Sequence, residues 1–97
     1  MTNLTEKETA MIVAFIREGV ECNGATEAEH VLDDNMTWMS ATDLCKVLGW
    51  NKQEVGGVMS SLQEKRMIND SGESSRGAQD NDWYASDKAI TEFFHLV

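Results

Sequence analysis

The strongest constraint on this chain is a pair of apolar stripes of helical period set close together near its middle. Leu44, Val47 and Leu48 recur at i, i+3 and i+4, and Val55, Val58, Met59 and Leu62 recur at i, i+3, i+4 and i+7. Ser40 with Asp43 supplies a capping pattern for the first stripe, with Asp in place of the usual Glu. Gly49 stands where a left-handed residue ends a helix, and Asn51 can cap the next one. The spacing predicts a helix over 41–48 and another over 51–66, with only a tight turn between them. A connection that short makes the two rods cross over one shared core.

The flanks add elements around this pair. Thr5 followed by Glu8 is a capping box, and the pairs Met11/Phe15 and Ile12/Ile16 predict a core helix over about 6–19. Residues 21–35 are less regular: Gly24 breaks the pattern, Thr26 and Glu29 suit the cap of a short helix through Leu32, and Asp33-Asp34-Asn35 reads as a turn. Met36-Thr37-Trp38-Met39 suits a brief strand leading into the helix over 41–48. Met67-Ile68 and Trp83-Tyr84 read as strand fragments flanking a polar stretch with Gly72 and Gly77, hence a hairpin with a long tip. Ser86 then caps a last helix carrying Ile90, Phe93, Phe94 and Val97. With 97 residues, no proline and no repeat or linker, the expectation is a single domain over 1–97, mainly α with a small β-hairpin, of the α+β class.

The order helix, short strand, helix, tight turn, helix, hairpin, helix is that of the winged helix-turn-helix fold. Ser40-Ala41-Thr42-Asp43-Leu44-Cys45-Lys46-Val47-Leu48-Gly49-Trp50 resembles the positioning helix of the MarR-like transcription regulators. Val55-Gly56-Gly57-Val58-Met59-Ser60-Ser61-Leu62-Gln63-Glu64-Lys65-Arg66-Met67-Ile68 resembles their recognition helix and its exit into the wing. Trp83-Tyr84-Ala85-Ser86-Asp87-Lys88-Ala89 is similar to the returning wing strand and the start of the last helix. The resemblance covers roughly residues 40–97 and implies a DNA-binding transcription regulator that reads the major groove with helix 51–66. Two departures matter: the terminal helices are short, so no dimer carries over, and the wing's Arg76 stands alone among Asp70, Glu73, Asp80 and Asp82.

With the apolar stripe inward, Lys52, Gln53, Gly56, Gly57 and Ser60 face outward, and Lys65, Arg66 and the wing's Arg76 supply charge for phosphates. Gln53 suits bidentate pairing with adenine and Lys52 donation to guanine. Two glycines inside a helix cost on the order of 1 kcal/mol each against alanine. Close approach of DNA or of a partner helix would offset that cost, and so would tight packing against the preceding helix; both readings stand at this point.

Charge opens a second functional class. The chain has 17 acidic and 8 basic residues for a net of −9, which disfavours indiscriminate adhesion to nucleic acid or anionic membrane. Residues 40–66, with four basic and three acidic side chains, escape that negative field, whereas six acidic residues from Glu18 to Asp34 have no basic neighbour among them. The alternative partner is therefore a protein: an acidic interaction module, or a mimic of DNA's charge of the kind carried by phages and mobile elements.

Enzymatic chemistry finds no support. His30 and His95 lack metal-ligand spacing with Cys22 or Cys45, Cys45 falls inside a helix with no histidine near it in sequence, and no phosphate-cradling glycine loop occurs. No cofactor is expected. Two cysteines in or beside helices suit packed, reduced thiols, and the absence of an export signal or a spanning apolar run suits a cytoplasmic chain with no membrane contact.

Overall fold

The box at the chain's start closes on both sides: Glu8 N donates to the Thr5 hydroxyl at 3.1 Å and Thr5 N donates to the Glu8 carboxylate at 2.8 Å, opening α1 (Glu6–Asn23). The computed structural model, which describes residues 2–72 and 81–97, then places α2 (Ala28–Asp33), β1 (Met39–Ser40), α3 (Ala41–Leu48) and α4 (Lys52–Glu64). β2 (Ile68–Asp70), β3 (Asp82–Ala85) and α5 (Asp87–Phe93) follow, closed by a 3-10 turn over Phe94–Leu96. The described residues form a mainly helical α+β fold with one small antiparallel sheet. Residues 73–80, most of the expected hairpin tip, lie outside the described residues.

α1 overruns its expected end at Gly19 and stops at Gly24, whose φ of 68° is the left-handed geometry that glycine adopts without cost. Gly19 has another task. A Cβ there would stand 2.7 Å from Thr37 Cγ2 and 3.3 Å from Val31 Cγ1, so glycine lets the segment before β1 cross the helix in contact. α2 forms without the expected Thr26 cap: Glu27 occupies the N-cap position and makes no side-chain capping bond.

The sheet has the order β1-β3-β2, both pairings antiparallel, with Met39 opposite Trp83 and Ile68 opposite Ala85. It is thus a three-stranded sheet instead of a bare hairpin. The strand expected over 36–39 enters the ladder only at Met39, because side chains replace its backbone farther back. The Ala85 N–H donates to the Thr37 hydroxyl at 2.9 Å, and the Asn35 amide donates to the Ala85 carbonyl at 2.9 Å. Both polar groups of Ala85 are satisfied, as burial demands.

The core lies between α1, the α3/α4 pair and the inner face of the sheet. Met11, Ile12, Phe15 and Ile16 of α1 meet Leu44, Val55, Leu62, Met67, Ile68 and Ile90, all fully buried. Each such side chain contributes about 1.5–3 kcal/mol of transfer free energy. Val55, Met59 and Leu62 point inward as the stripe predicts, and Val58 at its edge is half-buried.

Two expected core positions fall outside. Val47 is 61% exposed, since the buried arc of α3 is centred between Leu44 and Leu48, about 80° from Val47 around the helix axis. Val97 is 39% exposed because the backbone tightens into a 3-10 turn after Phe93, which takes the last residue off the α-helical period. The thiols are free: Cys45 is half-buried, and Cys22 is exposed instead of packed, its pKa raised by desolvation and by Glu18 and Glu21.

Candidate nucleic-acid interface

The α3/α4 unit is set by local side-chain chemistry. Ser40 and Asp43 exchange capping bonds of 3.1 Å at the start of α3, and Gly49, at φ 70°, ends it by donating to the Cys45 carbonyl at 2.9 Å. Two residues later the Asn51 side-chain amide oxygen, Oδ1, accepts the Glu54 N–H at 2.8 Å, and α4 begins. Leu44 of α3 and Val55, Met59 and Leu62 of α4 then bury against α1, so the opposite side of α4 faces outward.

On that side Lys52, Gln53, Gly56, Gly57 and Ser60 are all exposed. Gln53, Gly56, Gly57 and Ser60 fall within an arc of about 100°, and Lys52 borders it at the helix start. Gln63 and Glu64, which sequence reasoning did not include, extend the same exposed strip toward the C-terminal end. The signal for them was present, since both lie off the apolar stripe. A Cβ added to either Gly56 or Gly57 would meet no atom within 4 Å, so packing against the preceding helix does not account for the pair. What the glycines leave is a flat run of helix backbone flanked by an ammonium, an amide, a hydroxyl and, at its C-terminal end, the Glu64 carboxylate.

Lys65 stands elsewhere. Glu54 and Ser61 of α4 and Lys65 at its C-cap form a separate stripe, and each meets α1. Lys7 pairs with Glu54 while its ammonium lies 5.8 Å from the centre of the half-buried Trp50 ring. The buried Glu8 carboxylate accepts bonds from Lys65 at 2.8 Å and from the Ser61 hydroxyl at 2.6 Å. Burial alone would raise the Glu8 pKa, but these bonds, the Thr5 amide and the Lys65 charge together lower it to about 2. Lys65 also donates to the Asn3 carbonyl at 3.3 Å, so its ammonium is engaged toward α1. Arg66 follows the helix and is exposed, at φ 61°. Arg76 lies outside the described residues.

Other surface features are weaker candidates. Trp38 is 51% exposed and, with Asn35, Ser71 and Tyr84, lines a depression of about 350 Å³ beside the outer sheet face. Alternation from the inward Met39 is the signal that would have placed Trp38 outside. The exposed side of Val47 lines a groove of about 470 Å³ between α1 and α3 with Val13, Arg17 and Leu48. Among the described residues no group of three His, Cys, Asp or Glu side chains is placed to hold a metal, and no helix is long and apolar enough to cross a membrane. Compared with known proteins, the chain matches no family model, no curated protein and no solved structure.

Proposed function

We propose that this chain is a winged helix-turn-helix domain of the kind the MarR-like regulators carry, and that it binds double-stranded DNA as a transcription regulator. The order of elements supports the fold: two crossing helices, then the antiparallel β2/β3 pair, with β1 added on the other edge of β3. One observation carries the functional reading. The outward side of α4 is polar, exposed and flattened by two glycines that the chain's own packing does not require. Such a surface lets the helix axis approach a groove closely, with Lys52 and Gln53 near the N-terminal end at the base edges and Ser60 farther along. Lys46 and Arg66, both exposed, supply charge for the flanking phosphates.

The test is a gel-shift titration with a pool of mixed duplexes. Each good base contact contributes about 1–3 kcal/mol of discrimination, so Lys52→Glu combined with Gln53→Ala should weaken binding about thirtyfold or more. The melting temperature should be unchanged, because both side chains are exposed. Unaltered affinity would remove α4 from the reading surface.

A second reading, docking to a basic protein, is favoured by one distinct observation. Glu21, Glu27, Glu29, Asp33 and Asp34 are all exposed, and none is ion-paired among the described residues. They gather about 20 Å along α1 from the Lys7/Glu8 end that meets α4. This reading predicts that the chain competes with DNA for its partner and does not itself bind duplex.

A further inference from the structure

α4 ends differently from α1 and α3. Those helices close on glycines in the left-handed region, Gly24 at φ 68° and Gly49 at φ 70°. α4 makes a comparable turn with an arginine, and Arg66 at φ 61° is the one non-glycine with positive φ among the described residues. The Met67 N–H donates to the Leu62 carbonyl at 2.9 Å and the Arg66 N–H donates to the Gln63 carbonyl at 3.0 Å. These are the paired bonds of a Schellman ending, with Arg66 at the position where glycine is strongly preferred. Leu62 and Met67 are fully buried on either side, so the core holds this backbone and the left-handed residue cannot relax without dislodging them. An L side chain there is crowded against the carbonyl that follows, whereas glycine is not.

Among the described residues nothing accounts for the arginine. Its side chain is exposed, and its guanidinium makes no hydrogen bond or ion pair with the described residues. The neighbouring cation, Lys65, is turned to Glu8.

We infer that Arg66 is kept in this strained turn because its guanidinium clamps a phosphate of bound duplex at the exit of α4, an inference that rests on the DNA-binding reading above. The chemistry suits the position. A guanidinium offers a planar fork of donors that can hold two phosphate oxygens at once, and a turn locked by the core fixes the direction in which the side chain leaves the backbone. Backbone strain held at a contact residue is the expected cost of such orientation. Stability and binding at residue 66 should therefore pull in opposite directions.

The experiment compares the parent chain, Arg66→Gly, Arg66→Lys and the Lys52→Glu/Gln53→Ala variant, each melted alone and titrated with one short mixed-sequence duplex at several salt concentrations. Arg66→Gly should melt roughly 2–6 °C higher, the relief of strain being partly offset by a more flexible unfolded chain. It should bind about tenfold more weakly, with the slope of log affinity against log salt shallower by about 1. Arg66→Lys keeps the charge without the fork and should recover only part of the affinity. If Arg66→Gly binds as tightly as the parent while the Lys52→Glu/Gln53→Ala variant loses binding, the clamp alone is overturned. A lower melting temperature for Arg66→Gly would refute the strain. Absence of duplex binding by the parent would overturn the clamp together with the reading it rests on.

Discussion

Glu8 shows how one side chain can serve helix, core and charge balance together. It closes the capping box of α1, lies 3% exposed and receives bonds from Ser61 of α4 and from Lys65 at that helix's C-cap. Its pKa falls from 4.5 to about 2, so the native state binds fewer protons than the unfolded chain between those values. The stability it contributes is complete above about pH 4.5 and is lost as the pH falls through about 2. Lys65→Met should strand the buried carboxylate, cost about 1–3 kcal/mol at pH 7 and make stability less sensitive to acid, as urea melts at pH 7 and pH 3 would show. A Lys65→Met chain as stable as its parent at pH 7 would contradict this account of the network. Lys65 also marks a limit of reading residues from sequence. Its position near the end of a basic segment suggested a phosphate contact, and only the pairing of α1 with α4 reveals that the ammonium faces Glu8.

At the scale of elements, α4 carries the functional reading and its glycines are the point of leverage. Since a Cβ at Gly56 or Gly57 meets nothing, Gly56→Ala and Gly57→Ala should each stabilise the fold by about 1 kcal/mol through helix propensity alone. The same methyl groups should hold a groove away from the helix backbone and weaken duplex binding several-fold, read by melting and titration of one double variant. Higher stability with undiminished affinity would refute the close-approach account of the glycines.

Elements bounded by their own side chains were legible. Ser40 with Asp43, Gly49, Asn51 and Ser86 delimit helices locally, so α3 and the starts of α4 and α5 stand where their capping residues place them. What tertiary contact decides was not. Gly19 reads as a helix stop until Thr37 is seen crossing it, Asn35 reads as turn and Thr37 as strand until Ala85 is seen bonded to their side chains, and Val47 reads as core until the buried arc of α3 is fixed by its neighbours. Within the candidate site, Lys52, Gln53, Gly56, Gly57 and Ser60 share one exposed face as their spacing predicts, because a helix's period is a local property. The strain at Arg66 was hidden, since nothing in the sequence distinguishes an arginine ending a helix from one just inside it.

The whole molecule divides its charge. Five acidic side chains gather around the C-terminal half of α1 and α2, while Lys46, Lys52 and Arg66 attend the α3/α4 unit. In a chain of net charge −9 this uneven distribution, with Glu64 the exposed carboxylate on the outward strip of α4, would under the proposed reading favour an oriented complex over loose adhesion. With so few cations at the contact, affinity for duplex should be modest and should fall as salt rises. The most direct test of the central claim, that the outward side of α4 is the reading surface, is an amide-shift titration of the labelled chain with mixed duplexes at low and moderate salt. Shifts should concentrate at Lys52, Gln53, Gly56, Gly57, Ser60 and Arg66 and weaken at moderate salt, with Glu21 to Asp34 unmoved. A silent α4 at low salt, or shifts confined to the acidic end of α1 and α2, would contradict that claim.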